Sequence, residues 1–201
     1  SEHMVEIAVI ADDLTGAADT GIQFRPLFSE TLLMADTALA ERPEAQVLSI
    51  HTGTRAVSAE AAREKVYAVG RNLLEIKPAR VYKKVDSCLR GNLGAETDAM
   101  IKSLGLKLAF IAPAFPEVGR TTAGGIHLVH GEPVAETEMG RDPATPVTQS
   151  RLADVIAAQS KLPVGHIGLE TIDAGADAIA AEVEALGATL ITFDATRQDH
   201  L

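Results

Sequence analysis

EIAVIADDLTGAADTGIQFRPLF, residues 6–28, decides the fold. A strand is expected over 6–11, in which 7–11 are a continuous apolar run, the signature of a strand buried on both faces, as in a parallel sheet. Asp12, Asp13 and Thr15 then supply turn and capping chemistry, and apolar residues return at helical spacing, which predicts a helix over 17–28. A buried strand that passes through a short polar turn into a helix is the unit from which helix-covered parallel sheets are built.

The same alternation runs outward along the chain. Strands are expected at 31–35, 46–50, 80–84, 108–112, 164–168 and 189–193, several of them continuous apolar runs, and helices at 59–76, 94–104, 150–158 and 174–186. Ser58 and Asp173 are placed as N-caps, Gly105 and Gly187 as C-terminal stops. The fold class is therefore α/β, a three-layer sandwich with a mainly parallel sheet. Residues 113–146, rich in Gly, Pro and Thr with a hairpin expected at 126–134, are too long for an ordinary connection and predict an excursion that overhangs a site.

Composition narrows the function. The 201 residues, 46% of them apolar, suffice for one core or one core with a small appendage, so a single domain over 5–201 is expected after a tag-cleavage scar at 1–4 (SEHM). Eighteen basic against 28 acidic residues give a net charge of −10, which argues against a general nucleic-acid or anionic-membrane surface; an anion must be gripped by local cations. Trp is absent and aromatics are 3%, which removes the usual stacking platform for single-stranded nucleic acid. The single cysteine, Cys88, excludes an intrachain disulfide, and no signal peptide or membrane span is visible, so a soluble cytoplasmic protein is expected. Residues 194–201 carry a capping signal for another element, and further sequence is expected after them.

Three loops carry candidate chemistry, each at the carboxyl end of a predicted strand, where open α/β sheets bind ligands. Asp12 and Asp13 are adjacent carboxylates whose mutual repulsion suggests a hydroxylated or cationic ligand or a metal; a purely structural account has Asp13 or Thr15 capping the helix and Asp12 in water. Arg55, in HTGTR at 51–55, could fork onto a carboxylate or pair with a surface acid. KKVDSCLRGN at 83–92 packs two ammonium groups, a carboxylate, a hydroxyl and a guanidinium into ten residues. Strand alternation sends Lys84 and Asp86 to one face, Lys83 and Val85 to the other. Ser87 and Asn92 are candidate caps, Arg90 reaches across one turn, and Gly91 permits a positive φ or a close backbone approach. The structural alternative is an internal Lys–Asp–Arg network. Cys88 reads as a small packing residue rather than a nucleophile. In PAFPEVGRTTAGG, 113–125, the glycines, threonines and Arg120 could form an anion nest. No P-loop or G-x-G-x-x-G occurs, and His127 and His130, three apart on a strand, point to opposite faces, so no metal site is expected. Arg141 and Asp142 would anchor the return of the excursion.

ADDLTGA (11–17), KKVDSCLRGN (83–92), PAFPEVGRTTAGGIHLV (113–129) and ETEMGRDPATPV (136–147) together resemble the amino-terminal domain of the four-carbon acid sugar kinases, which include D-threonate, D-erythronate, L-threonate and 3-oxo-tetronate kinases. The resemblance covers nearly the whole chain. It implies phosphorylation of a four-carbon sugar acid by ATP, with ATP and Mg2+ bound mainly by a carboxyl-terminal nucleotide-binding domain that this chain does not include. It implies that Asp12, Asp13, Arg55, Lys84, Val85, Asp86 and Ser87 contact substrate, with Arg90 in support. Cys88 stands where the family usually has Thr, which keeps the size and weakens a hydroxyl contact. For the transfer itself Asp12 or Asp86 would be the base, Arg55 would hold the substrate carboxylate, Lys84 would face charge near the transferred group, and the excursion would close the cleft. The partners so implied are the acid and the carboxyl-terminal domain, with self-association left open. Two other readings remain: a stand-alone sugar-acid binding module, and a lyase or aldolase using Lys84 as Schiff-base nucleophile, which the surrounding charges disfavour.

Overall fold

The computed structural model describes residues 4–35 and 44–201, so the first three residues of the expected tag scar lie outside the described residues. All seven anticipated strands are present. β1 (Ile7–Ala11) leads into α1 (Leu14–Gln23), followed by β2 (Thr31–Ala35), β3 (Val47–His51), α2 (Ala59–Ile76) and β4 (Arg80–Lys84). The four strands form one parallel sheet in the order β2-β3-β1-β4, with Ala11 beside both His51 and Lys84. Ala8, Ile10, Leu48 and Ile50 pack on one face against Val66, Val69 and Leu73 of α2. On the other face α1 lies close enough for the Ser49 hydroxyl to donate to the Ala17 carbonyl at 2.5 Å.

α3 (Leu93–Leu104) separates this sheet from a second one. β5 (Ala109–Ile111), β9 (Val164–Ile167) and β10 (Leu190–Phe193) pair in parallel as β5-β10-β9. The mainly parallel α/β class is as expected, but the strands divide between two sheets. The reason lies in α3, which is buried on every side from Leu93 to Ile101, as a helix between two cores must be. Its Ala99 and Met100 join the first core, its Leu93 and Ile101 a second one with Cys88, Leu89, Ile111, Leu152 and Ile156.

Between β5 and β9 runs the excursion, with β6 (Arg120–Ala123), β7 (Ile126–Val129) and β8 (Glu132–Pro133) in an antiparallel sheet, then α4 (Leu152–Ala157). The expected hairpin is real and has gained β6 as a third strand. Ser150 was expected to start α4; instead its carbonyl accepts from His127 N–H at 2.7 Å and its hydroxyl from Ala135 N–H at 3.0 Å, which ties the excursion down.

Other boundaries moved for local reasons. α1 begins three residues early because Asp13 caps it, Oδ1 accepting from Gly16 N–H at 2.8 Å, and it ends before Pro26, whose ring disfavours helix in the residue ahead. The helix expected over 174–186 is α6 (Ala176–Leu186), and a further helix that was not expected, α5 (Leu169–Ala174), precedes it across Gly175 with φ of 102°. Asp173, the expected cap, instead accepts from His200 Nε2 at 3.1 Å. Ser58, Gly105 and Gly187 act as read from the sequence, the two glycines in the left-handed region that favours them. Among the described residues no helix is long and apolar enough to cross a membrane.

Candidate functional site

Because β3, β1 and β4 are parallel neighbours, their carboxyl ends deliver three loops to one place. Asp12 and Asp13 follow β1, Arg55 follows β3, and Val85 and Asp86 follow β4. Arg55 forks onto Asp12, Nε to Oδ2 at 3.0 Å and Nη2 to Oδ1 at 2.9 Å, while its Nη1 meets Asp13 Oδ2 at 2.9 Å. Asp13 thus both caps α1 and pairs with Arg55. Asp12, only 3% exposed, is not the solvated residue of the structural account. Burial works against the Arg55 charge, but the hydrogen bond and charge of Asp12, with Asp86 and Asp13 behind it, hold its pKa above the ordinary value. The fork expected to await a ligand carboxylate is occupied from within.

The β4 loop carries a second pair. Arg90 Nε donates to Asp86 Oδ2 at 2.7 Å and its backbone N–H to the same oxygen at 3.1 Å. Burial opposes the Asp86 charge, yet the Arg90 fork, helped by Arg55, keeps its carboxyl below the usual carboxylate range. Leu89 takes a positive φ of 64°, rare for a branched side chain, and is held there by its burial and by its N–H to Asp86 O bond of 2.9 Å. Cys88 is buried among apolar neighbours. Ser87 caps no helix; its carbonyl accepts from His127.

Gly91 has φ of 98°, and a β-carbon there would stand 2.8 Å from Asp12 Oδ2 and 3.3 Å from Arg55 Cγ. Both properties anticipated for it are used at once. Gly91→Ala is therefore expected to cost about 1–3 kcal/mol in strain and to displace the Asp12–Arg55 pair. A urea melt and a ligand titration of the variant check this; an unchanged midpoint would show that the loop yields freely.

Lys84 lies on the Asp86 side and donates to the Val85 carbonyl. Burial lowers its pKa; the charges of Asp86, Asp12 and Asp13 offset this only in part, and Arg55 adds to the lowering. The charged lysine is thus less favourable in the fold than in the unfolded chain. Lys84→Met is expected to raise the urea midpoint at pH 7 while abolishing ligand binding. The gain in stability should shrink as pH rises through the lowered folded value, where the native lysine sheds its own proton. A variant less stable at every pH would mean that the ion pairs outweigh burial.

Lys83, on the opposite face, donates to the Lys84 carbonyl at 3.0 Å and meets Glu96 of α3 at 3.4 Å. Glu96 also accepts from the Thr54 hydroxyl at 2.8 Å, and burial raises its pKa against the pull of Lys83. Nothing in the sequence marked Glu96, a single acid inside an ordinary helical pattern. Asn92 precedes α3, but its amide donates to the Thr54 and Val57 carbonyls, at 3.0 and 2.9 Å, rather than capping the helix. It locks the Arg55 loop to the Asp86 loop.

The excursion does reach the site. Ala144, Thr145 and Pro146 line a cavity of about 200 Å3 with Arg55, Gly91 and Asn92. Arg141 does not pair with Asp142, whose carboxylate instead holds the Ala144 and Thr145 N–H groups at 3.0 and 2.7 Å. The glycine nest exists, but its anion is the protein's own: Gly124 and Gly125 N–H each donate to Asp194 at 2.9 Å, as does His166 Nε2. A carboxylate only 1% exposed needs those donors. Among the described residues no three or more His, Cys, Asp or Glu side chains gather as metal ligands.

Residues 7–201 match the family described as sugar-binding N-terminal domain. The chain is 41% identical over 199 residues to the D-threonate kinase of Salmonella typhimurium and 42% identical over 208 residues to the D-erythronate kinase of Heliobacterium modesticaldum, in each case over 98% of this chain and 47% of the relative. With the 3-oxo-tetronate kinase of Escherichia coli K12 it shares 31% identity over 98% of the chain and 53% of the relative. A solved structure from Salmonella typhimurium LT2, described as a putative tRNA synthase, superposes with a TM-score of 0.87 at 30% identity, over 98% of this chain and 49% of that one. A domain of unknown function from Bordetella bronchiseptica, solved with bound citrate as a domain-swapped dimer, superposes with a TM-score of 0.79 at 31% identity, over 96% of this chain and 48% of that one. The chain belongs to the four-carbon acid sugar kinase family, in which it corresponds to the sugar-binding N-terminal domain. It spans about half the length of the curated relatives it matches.

Proposed function

We propose that this chain is the acid-binding half of a kinase that transfers the γ-phosphate of ATP to a hydroxyl of a four-carbon sugar acid of the threonate, erythronate or 3-oxo-tetronate type. The observation that carries the reading is the meeting of Asp12, Asp13, Arg55, Lys84 and Asp86 at three adjacent strand ends, in a chain whose relatives are kinases of such acids. Paired carboxylates can take hydrogen bonds from sugar hydroxyls, and cations beside them balance an acid's charge. Citrate, bound in the Bordetella relative, is itself a hydroxylated carboxylate.

In this reading the hydroxyl to be phosphorylated is held by Asp86 or Asp12. Arg90 and Arg55 fix those carboxylates, Lys84 faces the charge that develops in transfer, and Val85 and Ser87 shape the wall. Magnesium does not fit the residues here, since the Asp12 and Asp86 carboxylates already hold guanidiniums and no cluster among the described residues is free for a cation. In this reading ATP and magnesium are held mainly by the carboxyl-terminal part of the full-length protein. A coupled ADP-release screen of the full-length protein against four-carbon acids tests the proposal. Turnover of one acid supports it, binding without turnover identifies a binding module, and neither removes it.

A further inference from the structure

Arg120 is the half-buried arginine that the fold leaves unsatisfied. Its Nε is buried without a hydrogen-bond partner. Among the described residues the other arginines that are not exposed, Arg55, Arg63 and Arg90, each hold a carboxylate, and Arg120 holds none. A buried donor left without a partner is costly, and more so on a charged group. Native folds leave few such donors, and each calls for an explanation.

The position of Arg120 supplies one. In the β6–β7 register Thr122 faces His127 and Arg120 faces Val129, so these four side chains share one face of the hairpin. That face is turned toward the β4 loop. The Thr122 hydroxyl contacts His127 Nδ1 at 2.9 Å, and His127 Nε2 lies 2.6 Å from the Ser87 carbonyl. A carbonyl only accepts, so the ring proton is on Nε2 and Nδ1 accepts from the hydroxyl. Val129 is buried in the same core as Cys88 and Leu89. The charges of Asp86 and Arg120 both act on the His127 ring, so both groups lie near it. Asp86 is already taken by Arg90.

We infer that Arg120 binds an oxyanion of the ligand, namely the carboxylate of the sugar acid, and grips it from the hairpin side of the cleft. The inference rests on the acid-binding reading above and adds the residue that separates an acid from a neutral polyol. Arg55 has less to offer, because Asp12 and Asp13 already take three of its five N–H donors. Arg120 sits on the Gly- and Pro-rich excursion, whose Ala144, Thr145 and Pro146 already line the cavity beside Arg55.

The test compares each four-carbon acid with its uncharged amide by calorimetry, on native protein, Arg120→Ala and Arg120→Lys, with thermal melts to check folding. Loss of a charged hydrogen bond should weaken acid binding by roughly 10–100-fold in Arg120→Ala. Amide affinity should stay where it was, and Arg120→Lys, which keeps the charge, should recover part of the loss. The Arg120 Nε–H resonance, assigned by its absence from Arg120→Lys, should shift as acid is added. Equal weakening of acid and amide, or of neither, overturns the role of Arg120 while leaving the acid-binding reading intact. If native protein binds no four-carbon acid, that reading falls, and acetate and inorganic phosphate become the probes. A resonance that moves with either of them then supports an oxyanion site, and one that moves with neither overturns it.

Discussion

Asp12→Ala is expected to destabilise the fold by about 3 kcal/mol, the low end for removing one partner of a buried ion pair, because Arg55 keeps Asp13 and some contact with water. Asp12 anchors more than the guanidinium: its backbone carbonyl accepts from Thr54 and Arg55 N–H at 2.9 and 3.3 Å, so β1 and the Arg55 loop are also joined through the main chain. Those bonds survive the substitution, which is why the variant should still fold. Ligand binding should be lost with the carboxylate. Urea unfolding of Asp12→Ala, Arg55→Met and the double variant checks the cause. If the pair is the origin, the double variant is more stable than the sum of the single losses implies, since no unpaired charge remains. Strict additivity would refute it.

Asp86→Asn should lower turnover of the full-length protein by ~10²–10⁴-fold, the usual range for a group that moves or orients a proton. The carboxyl of Asp86 is held below its ordinary value, so near neutral pH it is ionised and ready to accept a hydrogen bond from a sugar hydroxyl. A fall of less than tenfold would transfer the role to Asp12. The same variant has a stability signature. A carboxyl with a depressed pKa stabilises the fold above its unfolded value, ordinarily 3.8, and that contribution disappears as pH falls through the folded value. Native protein should therefore lose stability on acidification more steeply than Asp86→Asn below about pH 4. Parallel curves would mean that Arg90 contributes nothing through Asp86.

Much of the site was legible because it depends on strand ends. Once β1, β3 and β4 are recognised as buried parallel strands, their C-terminal residues must lie on one edge of the sheet, and Asp12, Arg55 and Asp86 follow. Gly91 was legible for a related reason, since a glycine in a crowded polar loop commonly marks a positive φ or a close approach. Pairing was not legible. Whether Arg55 waits for a ligand or is spent on Asp12 and Asp13 depends on distances of a few ångströms between loops more than forty residues apart in sequence. The nest at Gly124 and Gly125 shows the same limit, because the Asp194 that fills it is about seventy residues away. Glu96 shows it again: a buried charge looks like a surface charge until its surroundings are known, and Arg120, read only as part of a glycine nest, proves unsatisfied apart from it.

The order of apolar runs and helical segments was enough to set an α/β chain with its polar loops at the carboxyl ends of parallel strands, because burial on both faces imposes its own composition and the side-chain period is local. Tertiary structure alone decided that α3 would divide the strands between two cores, and which cations are neutralised from within and which is left open. Those outcomes depend on the packing of elements distant in sequence, where the cost of an unpaired buried charge is set by neighbours that no local pattern encodes.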